Sequence, residues 1–561
     1  MLRAQQYAVL LPGGVEPLIH ARRCFRKAVV DNPALGVWCE VDVDLVNAYP
    51  SMEWPAVDAA VREEIPQLAR WSEWCHKEEP ILLPGGGVHL ANREAEQGDP
   101  EASAQCGAVI AGARRRARQA RTEEAGPGPT HAFDVWFADD GQAFVRPEKV
   151  DGYLRALDQE IQKAGCTRGE MPDAKSAVTP VGHPDALAAL GDGWLTPYVR
   201  RTCQVREPNA TVEVLGTVVC DDDAVRSQFD ACVGRTAQLH QAIEQLGDPA
   251  TELTLGRSCA DIARVSHLLR TAGDIIAGGA VGEHDLQQQR FIERVLGSEL
   301  GQAALAQAAL GLHAGGLGFR NAADTVLAAF VSSRVEAAPL VGHIFAGMAE
   351  EGLPVETAQA VYDGQLAAAR EELVATLGPE RGQRLGRLLD EGALRAQQRF
   401  DAMLGGHAAI AGNGEGDGDG DGTWSGGVVD EAGADDPGHV HTRSVPRLQR
   451  RLSALTDEQA AERLEAHATA DGRDHDARRV RDLCDESVNH EWLYSLAPTS
   501  RHTMEPDSYV DAVLLRLGAA RGPPEILCRV SGASAESTAR TRSAVRRDPP
   551  PEGTTKRETA S

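Results

Sequence analysis

Two segments of the chain alternate hydrophobic and polar positions as β-strands do. The first is 37–44, where two sets of side chains each share a face: Val37, Cys39, Val41 and Val43 on one, and Trp38, Glu40, Asp42 and Asp44 on the other. The second is 133–145, where two apolar runs flank Asp139-Asp140-Gly141 and predict a tight hairpin with both carboxylates on its turn. We expect the apolar face of the first strand to pack on helices and its acidic face to remain in water.

Most other patterns in the chain are helical. Hydrophobic residues recur at helical spacing over 54–71 and over 148–164, where Gly165 ends the helix. The long stretch 221–399 is rich in Ala, Leu, Gln and Glu, which favour helices. Shorter elements are a hairpin over 81–88 and a strand over 212–219. Together these patterns predict an α+β fold with more helix than strand.

Composition places the chain among globular intracellular proteins. It has 561 residues, of which 42% are hydrophobic and 25% charged, and no run of 18 apolar residues that could span a membrane. Its 11 cysteines include no Cys-x-x-Cys pair, which favours reduced thiols and excludes a zinc ribbon. The N-terminus lacks the apolar stretch of a signal peptide. We therefore expect a nuclear or cytoplasmic location.

The formal net charge of −26 is unevenly distributed. Acidic residues and glycine dominate 411–440, which we predict to be a linker. Basic residues cluster in 22–27 and in 114–121, and such runs are usually solvated helix faces. A protein that binds nucleic acid needs a basic surface for the phosphates, so the overall acidity counts against that class.

The two acidic segments together predict a metal site. Asp139 and Asp140 alone would be ordinary turn residues. Placed beside the acidic strand that ends at Asp44, however, they would repel it unless a cation lay between them. Carboxylate oxygens with open coordination positions suit Mg²⁺ or Mn²⁺, and a pair of such ions is the metal arrangement of phosphoryl transfer.

Three motifs resemble, in the same order, successive motifs of the reverse transcriptase palm, most closely in the non-LTR retrotransposon (LINE-type) branch. They are Asp44-Leu45-Val46-Asn47-Ala48-Tyr49, Gln97-Gly98-Asp99-Pro100 and Phe137-Ala138-Asp139-Asp140. Further segments match the same family: Gly165 followed by Lys175-Ser176, then Val214-Leu215-Gly216, and then Gly315-Gly316-Leu317-Gly318-Phe319-Arg320. Each motif is weak alone, and their specificity comes from the order.

The resemblance implies a role for each motif residue. Asp44, Asp139 and Asp140 would be the catalytic and metal-binding carboxylates for two Mg²⁺ ions. Five further residues would bind the nucleotide: Leu45, Tyr49, Gln97, Gly98 and Lys175. The backbone carbonyl of Leu45 would also hold metal, and the aromatic ring of Tyr49 would select deoxynucleotides. The partners would be an RNA template, a DNA primer and deoxynucleoside triphosphates.

The resemblance also implies a domain order based on a right-hand polymerase palm, an antiparallel sheet with helices. We expect partial fingers in 1–36, the palm in 37–220, an all-α thumb and extension in 221–410, the linker in 411–440, a small helical module in 441–520 and a disordered tail in 521–561. By this resemblance the fingers would be truncated, and Glu101 would replace an apolar residue of the template-side helix. We therefore expect a fragment or remnant of a retroelement.

Three functions stay open at this point. The first is an RNA-directed DNA polymerase. The second is a catalytically decayed palm that binds nucleic acid as a scaffold, and primer extension distinguishes the two. The third is an RNA-directed RNA polymerase, which Ala138 before the Asp pair and the aromatic Tyr49 disfavour.

Overall fold

The computed structural model describes residues 6–8, 13–77, 81–82, 89–90, 101–126, 128–219, 221–411, 448–484, 493 and 505–519. The predicted nucleotide-binding residues Gln97 and Gly98 lie outside the described residues, and so do 412–440 of the predicted linker and the predicted tail 521–561.

A mixed five-stranded sheet has the order β4-β5-β1-β6-β7. Its neighbours pair antiparallel except β6 and β7, which are parallel. Two two-stranded hairpins, β2-β3 and β8-β9, stand apart from it. The strands are β1 (Trp38–Val43), β2 (Ile81–Leu82), β3 (His89–Leu90), β4 (Ala132–Phe137), β5 (Asp140–Val145), β6 (Ala177–Val181), β7 (Gln204–Val205), β8 (Val212–Val214) and β9 (Thr217–Val219). The predicted α+β class is confirmed, whereas a palm-like arrangement stays a prediction.

Helices make up most of the remaining described chain. They are α1 (Val15–Asp31), α2 (Ala48–Ser51), α3 (Trp54–Glu64), α4 (Pro66–Cys75), α5 (Ala102–Ala125), α6 (Val150–Gln162), α7 (Pro184–Ala188), α8 (Pro197–Thr202), α9 (Asp222–Ile243), α10 (Pro249–Cys259), α11 (Ser266–Ile276), α12 (Val281–Leu296), α13 (Gln302–Ala309), α14 (Ala322–Glu350), α15 (Val355–Ala411), α16 (Leu448–Ala470), α17 (Asp474–Leu483) and α18 (Pro506–Arg516).

Helices cover both faces of the five-stranded sheet. On one face, Val41 and its neighbours on β1 pack with the apolar sides of α3, α5 and α6. On the other, Trp38, Phe133 and Phe144 pack with α1, α14 and α15. The sheet is therefore the middle of three layers.

The acidic face of β1 is buried, contrary to the prediction that it would remain in water. Glu40 is 1% exposed and accepts bonds from Arg22, at 3.1 Å, and from Arg26, at 2.5 Å. Asp42 pairs with Arg22 at 2.7 Å and with Arg206 at 2.6 Å. The arginines of α1 thus compensate the strand carboxylates, which allows α1 to cover a face that looks solvent-exposed from its own sequence.

Several predicted elements are present with different boundaries. The helix predicted over 54–71 is two helices, α3 and α4, because Pro66 begins the second of them. In the central hairpin, Phe137 pairs with Asp140, so the loop is Ala138-Asp139 and Asp140 already belongs to β5. The predicted turn had placed both carboxylates outside the strands. The helix predicted over 148–164 is α6, followed by Gly165 at φ +84°.

The chain forms two compact units. The helical region predicted as thumb and extension supplies helices to both of them. The first unit contains Met1–Thr236, Ile262–Asp285 and Asn321–Gln459, and the second contains Ala237–Asp261, Leu286–Arg320 and Ala460–Ser561. Within the described chain, α14 alone has the length and hydropathy of a membrane span, but 72% of its apolar window is buried in the protein, as in a core helix.

Candidate functional site

The predicted catalytic carboxylates meet at one end of the five-stranded sheet. Asp44 directly follows β1, Asp139 lies in the β4-β5 loop and Asp140 begins β5. Strands β1 and β5 are neighbours, and their pairing runs up to Val43 opposite Gly141. The next residues of each strand therefore emerge side by side. The structure brings the three acidic residues together, although they are nearly 100 positions apart in sequence.

Electrostatics show that these three carboxylates act on one another. Burial raises the pKa of Asp44. The positive charge of Lys175 opposes this increase, and the negative charge of Asp139 adds to it. Burial raises the pKa of Asp140 as well, and Asp139, Asp44 and Asp42 raise it further. Within the part of the chain that the structure describes, no side chain forms an ion pair or hydrogen bond with any of the three carboxylates. Their mutual repulsion is therefore left for a bound cation to relieve.

The donor set fits Mg²⁺ in its chemistry, because all three side chains offer hard carboxylate oxygens. Among the described residues no group of three or more His, Cys, Asp or Glu side chains is arranged as a ready cage for a metal ion. This combination is usual for Mg²⁺ at a phosphoryl-transfer site. Such an ion keeps several waters and takes one or two protein carboxylates together with substrate phosphates.

The backbone on both sides of this acidic end is held by buried polar side chains. The hydroxyl of Ser176 accepts a hydrogen bond from the N–H of Asp44, at 3.0 Å, and donates to its carbonyl, at 3.3 Å. The amide of Gln6 binds both backbone groups of Ala138, the residue before Asp139. Both side chains are fully buried. Sequence reasoning gave neither a role at the site, since a Gln or Ser that binds distant backbone has no sequence signature.

The predicted nucleotide-binding residues in the described chain lie around the same end of the sheet. Leu45 is buried and its backbone bridges to Arg168. Tyr49 is half-buried on α2, and its hydroxyl lies 3.4 Å from that of Ser103 on α5. Burial raises the pKa of Tyr49, and the charges of the acidic loop add to the increase, which places its ring beside that loop.

Lys175 is exposed, immediately before Ser176 and β6. Its positive charge lowers the pKa of Asp44, so the ammonium lies within electrostatic reach of the acidic end of the sheet. An exposed lysine next to carboxylates that lack ion-pair partners is available to a bound anion.

The arginine-rich segments are solvated helix faces only in part: Arg115, Arg116 and Arg118 are exposed, whereas the arginines of α1 and Arg114 are buried. Arg114 on α5 is 8% exposed and binds Asp134 of β4 through bonds of 2.6 and 2.9 Å. The rest of that segment pairs along its length with acids: Arg115 with Glu63 and Glu64, Arg116 with Glu160, and Arg118 with Glu350 and Glu351. The arginines of α1 are paired in the same way. The buried arginines stabilise the fold, and the exposed Arg115, Arg116 and Arg118 are already paired with carboxylates.

Comparison of the chain with models of known protein families finds no match, and comparison with curated proteins finds none either. The relation to reverse transcriptases therefore stays a resemblance carried by the ordered motifs, and the function has to be argued from the site.

Proposed function

We propose that this chain is an RNA-directed DNA polymerase of the non-LTR retroelement type, which adds deoxynucleotides to a DNA primer on an RNA template. One observation supports this most directly. Asp44, Asp139 and Asp140 emerge from neighbouring strands with no ion-pair partner in the described chain, whereas Asp42 and Glu40 on the same strand are paired with arginines. Carboxylates kept unpaired at the end of a sheet suit a cation that arrives with its substrate.

Each residue has a part in this proposal. Asp44 and Asp139, with the carbonyl of Leu45, would hold the metal, and Asp140 would support the metal site. Bound Mg²⁺, or Mn²⁺ in its place, supplies Lewis acidity that lowers the pKa of the primer 3′-hydroxyl and neutralises the triphosphate. Tyr49 lies beneath the sugar and excludes a 2′-hydroxyl. Lys175 lies near the leaving pyrophosphate.

Gln97 and Gly98, which lie outside the described residues, complete the proposed nucleotide site on the template side. Their role rests on the motif alone.

A second candidate, a decayed palm that serves as a scaffold, is favoured by the arginines. Those of α1 and α5 are consumed by internal ion pairs, so the cationic clamp that positions a triphosphate is not supplied by them. Loss of one such contact typically lowers the rate by about two to three orders of magnitude. We therefore expect weak primer extension from the chain alone, with metal binding retained.

The test is primer extension on an RNA template with Mg²⁺ or Mn²⁺, comparing deoxynucleotides with ribonucleotides. We expect weak incorporation of deoxynucleotides. Asp139→Asn should abolish it, and Asp192→Asn, a change at an exposed aspartate in a short helical turn, should not.

Three outcomes would decide against parts of the proposal. Preferred use of ribonucleotides would indicate an RNA polymerase. Extension that survives Asp139→Asn would contradict the metal assignment. Mn²⁺ binding without extension would indicate the scaffold.

A further inference from the structure

The fully buried amide of Gln6 spans both backbone polar groups of Ala138, 132 positions further along the chain. Its nitrogen donates to the Ala138 carbonyl at 3.0 Å, and its oxygen accepts from the Ala138 N–H, also at 3.0 Å. The same oxygen accepts from the N–H of Ala8 at 3.2 Å, which fixes the amide orientation. Both polar atoms of the amide therefore bind one loop residue.

Ala138 has a conformation that needs such support. Its φ is +55°, in the left-handed region that side chains other than glycine rarely occupy. Ladder pairing of the hairpin ends at Phe137 and Asp140, so the sheet itself does not hold the loop between them. An uncompensated left-handed alanine would relax toward another loop conformation and move the carboxylate that follows it.

Gln6 is itself anchored along the edge of the sheet. The N–H of Tyr7 donates to the carbonyl of Trp136 at 2.8 Å, and Gln6 bridges to the same tryptophan in parallel. Tyr7 is fully buried in the core formed with α1. Residues 6–8 therefore act as a fixed support, with the Gln6 amide directed at the loop.

We propose that Gln6 is a positioning residue that sets the conformation of the loop carrying Asp139 and Asp140, and so holds these carboxylates toward Asp44. The resulting effect on metal binding rests on the proposed function, whereas the effect on the loop does not. Gln6 touches no reacting atom in this proposal and acts only through the backbone of Ala138.

The first test measures amide hydrogen exchange in the full-length, metal-free protein. Gln6→Met keeps the length of the side chain and removes both hydrogen bonds to Ala138, together with the one from Ala8. We expect exchange at Ala138 to become at least tenfold faster. The matched control is Gln142→Met, at a buried glutamine of β5 whose side-chain oxygen has no partner in the described chain; it should leave exchange at Ala138 unchanged. Unchanged exchange in Gln6→Met would overturn the proposal.

A double-mutant cycle separates positioning from simple support. Asp140→Asn removes repulsion between the carboxylates and should raise the protection of the β4-β5 amides severalfold at pH 7. With Gln6→Met in place the carboxylates are free to move apart, so the same change should raise protection less than twofold. Equal gains in both backgrounds would mean that Gln6 only stabilises the protein, and the positioning role would be wrong.

Two additions keep the test decisive. If Gln6→Met does not fold, Gln6→Asn replaces it in the hydrogen-exchange experiment and in the double-mutant cycle. Gln6→Asn keeps the amide but is one methylene too short to reach both backbone groups of Ala138. Mn²⁺ titration then compares wild type with the variant, and we expect about tenfold weaker binding in the variant. Equal Mn²⁺ affinity would overturn the positioning role. If the wild-type protein binds no Mn²⁺, that result counts only against the proposed function. The hydrogen-exchange experiment and the double-mutant cycle would still decide the role of Gln6.

Discussion

Individual acidic residues in the first unit differ in what neutralises them. Burial alone would raise the pKa of Asp134, but the charge and hydrogen bonds of Arg114 outweigh it and lower the pKa to about 2. Burial likewise opposes ionisation of Asp42, and Arg22 and Arg206 leave its pKa lowered. Asp140 has raising influences only. The charge of an aspartate is thus compensated by arginine inside the sheet and left uncompensated at the end of the sheet.

Replacing Asp140 should stabilise the metal-free protein. The raised pKa means that ionised Asp140 costs stability at neutral pH, and the cost disappears as pH falls through that pKa, where the wild-type side chain becomes neutral. We expect Asp140→Asn to raise the free energy of unfolding by about 0.5–1 kcal/mol at pH 7, a small value because solvent screens this carboxylate. Most tryptophans lie between Trp38 and Trp194, so fluorescence-detected denaturation reports this unit.

A gain that persists at pH 3 would contradict the electrostatic explanation of this stabilisation. Asp192→Asn, at an exposed position, serves as the control and should change the unfolding free energy at neither pH.

Replacing Ser176 should weaken the support of Asp44. Ser176→Ala removes the hydroxyl that bonds both backbone groups of Asp44 and leaves its N–H without that acceptor. We expect a loss of about 1–3 kcal/mol in unfolding free energy and weaker Mn²⁺ binding. Thr179→Val is the matched control: its buried hydroxyl, on the following strand β6, has no partner in the described chain. If Thr179→Val weakens Mn²⁺ binding equally, the effect comes from packing and not from the Asp44 contact.

At the scale of elements, local patterns predicted what local physics determines. The alternation of 37–44 gave β1, the apolar runs gave β4 and β5, and helical periodicity gave α6. Pro66 is a local signal for the start of a new helix, because proline is favoured at the first helical position. The prediction of one helix over 54–71 followed the hydrophobic periodicity and not this proline.

The covering of the sheet could not be predicted from the same patterns. Burial of Glu40 depends on Arg22 and Arg26, and α1 gives no sign in its sequence of which strand its arginines meet. The loop conformation depends on Gln6, and the support of Asp44 on Ser176, each 132 positions from its contact. Contacts of this kind follow from tertiary structure, because polar residues satisfy buried groups wherever the fold brings them together.

The pairing of α5 with β4 predicts a large effect from one arginine. Arg114→Met leaves Asp134 buried and without its cation, which typically costs roughly 3–5 kcal/mol of unfolding free energy. The stability from this pair is present above the ordinary pKa of an aspartate and is lost as pH falls toward 2. Denaturation at pH 7 and pH 3 measures both effects. Arg116→Met removes an exposed arginine whose partner Glu160 also binds Lys163, so it should cost less than about 1 kcal/mol, and equal costs would contradict the burial argument.

At the scale of the whole molecule, the net charge of −26 and the internally paired arginines act together. Electrostatic affinity for nucleic acid comes from cations that replace the counterions of phosphates, and a cation already bound to a carboxylate contributes little. The chain therefore carries a large net negative charge, and most of its clustered arginines are already paired with carboxylates.

Binding to a primed RNA template should accordingly be weak and only slightly dependent on salt. Between 50 and 200 mM salt we expect affinity to fall by about tenfold or less, as for one or two phosphate contacts. Fluorescence anisotropy measures this, and Lys175→Gln should flatten the dependence further, whereas Lys149→Gln, at an exposed lysine after β5, should not. A fall of three orders of magnitude would show a phosphate-binding surface that the arginine clusters do not supply.

The packing of α14 and α15 against α1 also has a consequence for biosynthesis. His20 on α1 meets Ser333 on α14, 313 positions later, at 2.8 Å. At about 5–20 residues per second, a ribosome takes tens of seconds to deliver α14 after α1 has left it. During that interval the nascent sheet has α3, α5 and α6 available for one face, while two of the three helices that cover its other face have not been synthesised. Translation speed between 145 and 322 thus sets how long a wide apolar surface is offered to holdase chaperones or to neighbouring nascent chains.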